Sequence, residues 1–157
     1  MTEIKDRIFT ILRTIGRQGT EAVIAYLQSS SYFTRGCHSH HWGHGGLAKH
    51  SVEVYEHMLA NAGGFSADTI AVAALFHDLG KTVPRDKNGF GHGRGHGVRS
   101  VAILDYLGYP LTEDERRAIC IHHVPKPWAW AHPLRHALST ADQASARQWW
   151  EARRAAL

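Results

Sequence analysis

Cysteine is scarce in this chain: among its 157 residues only Cys37 and Cys120 carry thiols, and no CxxC pair occurs. That excludes a disulfide-stapled scaffold and a cysteine-rich structural zinc site, and it suits a reducing compartment, so a cytoplasmic location is expected. Long hydrophobic runs are missing as well. The longest, Thr69 to Phe76, falls far below the roughly 20 apolar residues that a membrane helix needs. The opening MTEIKDRIFT holds no signal-peptide core, so a soluble protein with no membrane partner is expected. No segment alternates apolar and polar residues with period two, which argues against a sheet. Repeats, long linkers and blocks of like charge are also missing.

What the chain has is helical periodicity. Ile4, Ile8, Ile11, Leu12 and Ile15 predict an amphipathic helix over 3–16, ended by Gly16. A second follows Gly19 over 20–31, and a third spans Leu47 to Ala60 with Leu47, His50, Val54 and Met58 on one face. Ser66 can cap a fourth that runs to about His77, and a fifth covers roughly 98–107. Thr112-Glu113-Asp114-Glu115 is a capping-box sequence opening a sixth, which runs to His122-His123. Pro133 starts a last helix to about 153. The expectation is an all-α chain, one domain over residues 1–157, built as a bundle of about 6–8 helices.

Histidine is abundant, at thirteen residues, and it is dispersed rather than gathered into a terminal tag. His50, His77, Asp78, His96, His122, His123 and Asp142 each fall in or at the end of a predicted helix. His50, His77 and Asp142 interrupt stripes of Leu, Ile, Val and Ala; Asp142 lies i+4 from Leu138 and therefore points inward. A buried carboxylate needs compensation, and a metal ion supplies it. Imidazoles and carboxylates converging from several helices are how a bundle holds transition metals, and seven candidates suffice for two ions. Without thiolate ligands, iron, manganese, cobalt and nickel fit as well as zinc. The formal charge of +4 suits an anionic substrate.

The series His, His-Asp, His, His-His, Asp, with its ALFHDLGK segment, resembles the HD superfamily of metal-dependent phosphohydrolases over about residues 40–145. The resemblance implies the all-α HD-domain fold, with His50, His77, Asp78 and Asp142 as ligands of a first metal. It implies His96, His122 and His123 as the added ligands of the two-metal branches, with Asp78 bridging two divalent transition-metal ions. Such a site activates a water for in-line attack at phosphorus. Lys81 resembles the family lysine that approaches the substrate phosphate, so Asp78 and Lys81 are the expected catalytic residues.

The segment HHWGHGGLAKH resembles the opening of HD domains in some exoribonucleases and relaxases; His41 or His44 would touch substrate phosphate or metal, or equally stand behind the ligands or in solvent. Cys37 is a weaker candidate ligand. Lys87, His92, Arg94 and Arg99 surround a glycine-dense stretch that suits phosphate gripping, or is simply a solvated loop. Trp128 and Trp130 either stack a base or pin a loop, whereas Trp149-Trp150 are expected to pack the last helix or an interface. Gly108-Tyr109-Pro110 precedes His122-His123, which argues against the cyclic-di-GMP phosphodiesterase branch named for that tripeptide. The expected partner is a phosphorylated small molecule or a nucleic acid, with phosphodiester cleavage favoured. The alternatives are a nucleotide phosphomonoesterase or nucleoside-triphosphate hydrolase, a non-catalytic nucleotide-sensing module, and a helical domain whose metal is purely structural.

Overall fold

The computed structural model describes residues 1–37, 39–83, 95–123 and 132–156. Among these there are seven α-helices and no strand: α1 (Thr2–Ile15), α2 (Thr20–Ser29), α3 (Gly46–Asn61), α4 (Ala67–Phe76), α5 (His96–Tyr106), α6 (Glu113–Ile121) and α7 (Pro133–Ala155). Short 3-10 turns cover Ser31–Phe33 and Leu79–Thr82. No described helix is long and apolar enough to cross a membrane.

Local chemistry accounts for most boundaries. Ser66 Oγ accepts the Thr69 N–H at 3.2 Å and opens α4. Thr112 and Glu115 form the reciprocal capping box that opens α6. The second helix stops two residues earlier than expected. Ser30 turns extended, and its hydroxyl accepts the Tyr32 N–H at 3.3 Å, a side-chain bond that competes with the helix. In the opposite direction, α5 begins at His96 rather than 98, which carries His96 into its first turn.

The helix α4 is apolar on every side, with Ile70 through Phe76 all buried. Such a helix belongs at the centre, and each large side chain there stabilises the fold by about 1.5–3 kcal/mol. α3 packs on both α4 and α7, and α6 on both α5 and α7. One apolar cluster joins α1 and α2 to one side of α3 and α4 through Ile8, Leu12, Leu27, Leu47 and Phe76. The other joins α3 and α4 to α7 through Val54, Met58, Leu134 and Leu138. The end of α4 thus lies where α3, α5, α6 and α7 meet.

Two glycines allow the closest approach there. A Cβ on Gly80 would stand 2.1 Å from the His96 carbonyl oxygen, and one on Gly97 2.3 Å from that of Ile119. Both are far inside contact distance, so only glycine lets α5 press against the turn after His77-Asp78 and against the end of α6.

Candidate metal centre

The hydrophobic burial of α4 places His77 and Asp78 at its C-terminus, and α6 likewise delivers His122 at its own. Both helix ends carry partial negative charge, which favours a cation between them. His50 comes from α3, His96 from the first turn of α5, and Asp142 from the inward stripe of α7. All five sequence motifs converge.

Around Asp78 Oδ2 and the end of α4, His50 Nε2 stands 3.3 Å from His77 Nε2 and 3.0 Å from Asp142 Oδ1. Asp78 Oδ2 is 3.5 Å from His77 Nε2 and 3.9 Å from His50 Nε2. Asp78 Oδ1 faces the other way. It lies 2.9 Å from His96 Nε2 and 3.7 Å from His122 Nε2, which are themselves 3.1 Å apart. His123 joins this second group, its side chain about 40% exposed and its Nδ1 3.9 Å from Asp142 Oδ2. Ligand atoms bound at about 2.1 Å to one divalent ion stand roughly 3.0–3.4 Å from one another at octahedral or tetrahedral edges. The shorter separations, 2.9–3.3 Å, match that spacing. The Asp78 carboxylate turns Oδ2 towards His50 and His77 and Oδ1 towards His96 and His122; His77, His122 and Asp142 also have donor atoms within 4.8 Å of one another.

Four of the donors, His77, His123, Asp78 and Asp142, are held in the protonation states that metal binding requires. Burial pushes His77 down to about 3, and the neighbouring His122 and His50 push the same way. His123 is pushed down to about 4, again chiefly by burial. Burial opposes ionisation of Asp78, but attraction to Lys81 and His77, with His122 and His96 beside Oδ1, holds it well below the usual carboxylate range. Asp142 is also held low, since its hydrogen bond and attraction to His50 overcome the cost of burial.

Backbone and side-chain partners orient the rings. His77 Nδ1 donates to the Ala74 carbonyl at 2.8 Å and His122 Nδ1 to that of Ile119 at 2.7 Å, leaving both Nε2 atoms for the centre. His50 is set differently. The Ser145 hydroxyl donates to Glu53 Oε2 at 2.8 Å and so accepts from His50 Nδ1 at 3.0 Å. Glu53 Oε2 is also 2.8 Å from His41 Nε2, and His41 Nδ1 is 2.8 Å from His40 Nδ1.

This chain of bonds places the remaining candidates. His41 is buried with a left-handed φ of 47° and supports His50 through Glu53 and Ser145 rather than facing the cluster. His44 lies exposed on the loop before α3. Sequence reasoning missed His40, Glu53 and Ser145. Glu53 and Ser145 each sit three residues, one helical turn, beyond a ligand on the same helix, and that spacing was the available signal. Cys37 lies within 4.8 Å of His40 and His50 donor atoms, but burial, with Asp78 adding, pushes its thiol up and away from the thiolate form. Lys81 is ion-paired with Asp78 Oδ2, and although burial disfavours its charge, Asp78 raises it above the usual lysine value. Arg99 rests half-buried with Nε 3.5 Å from the Gly80 carbonyl. Lys87, His92, Arg94, Trp128 and Trp130 lie outside the described residues. A separate cavity of about 370 Å³ between α3 and α7, lined by Met58, Phe65, Ala137 and Ala141 among others, includes none of the donors in its wall.

The donor set fits a divalent metal on an independent count. Asp78 Oδ1 is buried and makes no well-formed hydrogen bond, despite the histidines near it. Such an oxygen is costly unless a cation satisfies it. An all-helical fold holding a His/Asp cluster of this kind defines a metal-binding class. Its family follows from comparison: the HD domain matches residues 47–153, and the chain belongs to the HD-domain family. HD domains are in general metal-dependent phosphohydrolases that bind divalent metal. No curated protein and no solved structure matches the chain.

Proposed function

We propose that this protein hydrolyses phosphoester bonds of a nucleotide or nucleic acid, with phosphodiester cleavage favoured, at a centre of two divalent ions bridged by Asp78. The observation that carries the reading is the division of the Asp78 carboxylate between two donor groups, Oδ2 towards His50 and His77 and Oδ1 towards His96 and His122. His50, His77, Asp78 and Asp142 would hold one ion; Asp78, His96, His122 and His123 the other. When bound, the ions supply Lewis acidity to phosphate oxygens and lower the pKa of a coordinated water towards neutrality.

The chain's own residues do the rest. Lys81, kept as an ammonium by Asp78, fixes the bridging carboxylate and places positive charge beside the centre for a phosphate. His123, the most exposed of the donors, forms the rim by which substrate reaches it. The Glu53–Ser145 pair holds the His50 ring and so fixes which nitrogen it presents.

The test is metal content together with turnover. Protein purified without added metal and then supplied with Mn²⁺ is expected to bind about two ions per chain and to cleave bis-p-nitrophenyl phosphate faster than p-nitrophenyl phosphate. Asp78→Ala is expected to abolish both binding and cleavage. Two bound ions with no turnover of either ester, of nucleotides or of single-stranded DNA and RNA would overturn the enzyme in favour of a nucleotide-sensing module.

A further inference from the structure

Three indole rings gather at the far end of the stripe of α7 that carries Asp142. Counting from Asp142, Trp149 is i+7 and Arg153 is i+11, so both lie on nearly the same side of the helix. At 1.5 Å per residue, they stand about 10 and 16 Å along the axis from Asp142. Trp42, which directly follows His41, completes the group. Its ring meets Trp149 at 4.9 Å and 72°, and Trp150 at 5.2 Å and 89°, while Trp149 and Trp150 meet at 4.9 Å and 82°. Arg153 lies 5.1 Å over Trp42 and 5.6 Å over Trp149. A further ring contact of 5.7 Å joins Trp149 to His41, whose ring is 5.1 Å from that of His50.

This cluster is not hidden. Trp42 remains 49% exposed and Trp150 36%. Large aromatics left in solvent while packed into a fixed corner are ready to stack a planar ligand at little further cost in entropy. The surrounding charge states the ligand's sign. From 147 to 156, exposed Arg147, Arg153 and Arg154 face only one acid, Glu151. Aromatic faces interleaved with arginine, on one stripe with a phosphoester-cleaving centre, match a chain of unpaired bases joined by phosphates.

We propose that Trp42, Trp150 and Arg153 form a stacking platform for a base of single-stranded nucleic acid, a few nucleotides from the phosphodiester held at the metal centre. The proposal rests on the phosphodiesterase reading and makes its substrate class single-stranded nucleic acid rather than a free nucleotide.

The test uses the full chain with Mn²⁺ and fluorescein-labelled (dT)12 and (rU)12. Fluorescence anisotropy gives binding, and turnover of the oligonucleotide is compared with that of bis-p-nitrophenyl phosphate, which is too small to span from centre to platform. Trp42→Ala and Trp150→Ala are each expected to weaken oligonucleotide binding roughly tenfold. The ratio of oligonucleotide to small-diester turnover should fall by a similar factor. Trp42→Phe, which keeps an aromatic face, should recover most of the loss, and it decides the matter if Trp42→Ala fails to fold. Wild-type protein that cleaves the small diester but does not bind either oligonucleotide overturns the platform while leaving the hydrolase intact. Tryptophan-dependent oligonucleotide binding without cleavage of any ester supports the platform and overturns the hydrolase. Concentration-dependent dimerisation abolished by Trp42→Ala, with oligonucleotide affinity unchanged, shows the patch to be a contact between copies and overturns the proposal.

Discussion

On the proposed two-ion centre, removing the hydroxyl of Ser145 should weaken one metal position and spare the other. Ser145 accepts from His50 Nδ1 at 3.0 Å while donating to Glu53 at 2.8 Å, and its side chain is wholly buried. In Ser145→Ala the His50 N–H loses its acceptor in a dry site, which costs about 1–3 kcal/mol of stability. The ring loses its orientation as well, and losing such a support typically lowers metal affinity about 10–100-fold, or about 1.4–2.7 kcal/mol. His122 does not share this loss, because the Ile119 carbonyl holds its Nδ1 at 2.7 Å. Calorimetric titration of the apoprotein with Mn²⁺ should therefore show two binding constants in the parent, of which one drops and one holds in the variant. Glu53→Gln, which keeps an oxygen for the serine but lacks the charge, should fall between them. Equal weakening of both positions, or of neither, would refute the assignment of Ser145 to His50 alone.

Gly80→Ala should drive α5 away from the turn after Asp78, because the new Cβ would lie 2.1 Å from the His96 carbonyl. The expected cost is at least the 1–3 kcal/mol of ordinary overpacking, with the position around His96 and His122 weakened first, read by urea unfolding and metal titration. Glu115→Ala should cost about 1–3 kcal/mol, since it removes both 2.7 Å bonds from the Arg17 guanidinium, leaving it the Pro110 carbonyl and solvent, and also breaks the α6 cap; a urea midpoint unchanged within error would contradict this. In the metal-free protein, stability should decline as pH falls below about 6.5. The unfolded chain then takes up protons that buried His77, whose pKa is depressed to about 3, refuses in the folded state. The slope from His77 alone is about 1.4 kcal/mol per pH unit between roughly pH 6 and 4. His40, pushed down to about 4 mainly by burial, and His123 act in the same direction. Asp78 and Asp142, held low when folded, continue the loss below the ordinary carboxylate range. Urea midpoints that stay level from pH 7 to 5 in chelator would contradict the burial of these rings as neutral groups.

Much of this protein is local, and local chemistry is legible in a sequence. Ser66 and Thr112 mark helix starts because a hydroxyl reaches a backbone N–H within its own turn. The inward stripe on α7 follows from a 3.6-residue period, so the burial of Asp142 could be read beside Leu138. His50, His77, Asp78, His96, His122, His123 and Asp142 were nameable together because their order and residue types resemble a family pattern, and the helices bring them together. The start of α5 was misplaced because His96-Gly97 reads as loop until Ile119 is seen pressed against Gly97. The sequence left His41 open between touching the site and supporting it; in the fold its Nε2 meets Glu53, which Ser145 links to His50.

The sequence by itself determined an all-helical chain and the inventory of donors, since both depend on residue type and on spacing along one helix. Only the tertiary structure decided which oxygen of Asp78 faces which histidines, and that Ser145, Glu53 and His41 are linked by hydrogen bonds to His50. It alone also placed Trp42 against Trp149 and Trp150, with Trp42 and Trp150 left exposed. Those facts depend on contacts between residues some 20 to 100 positions apart. No periodicity encodes such contacts, because they are set by how the apolar faces of α3, α4 and α7 close on one another.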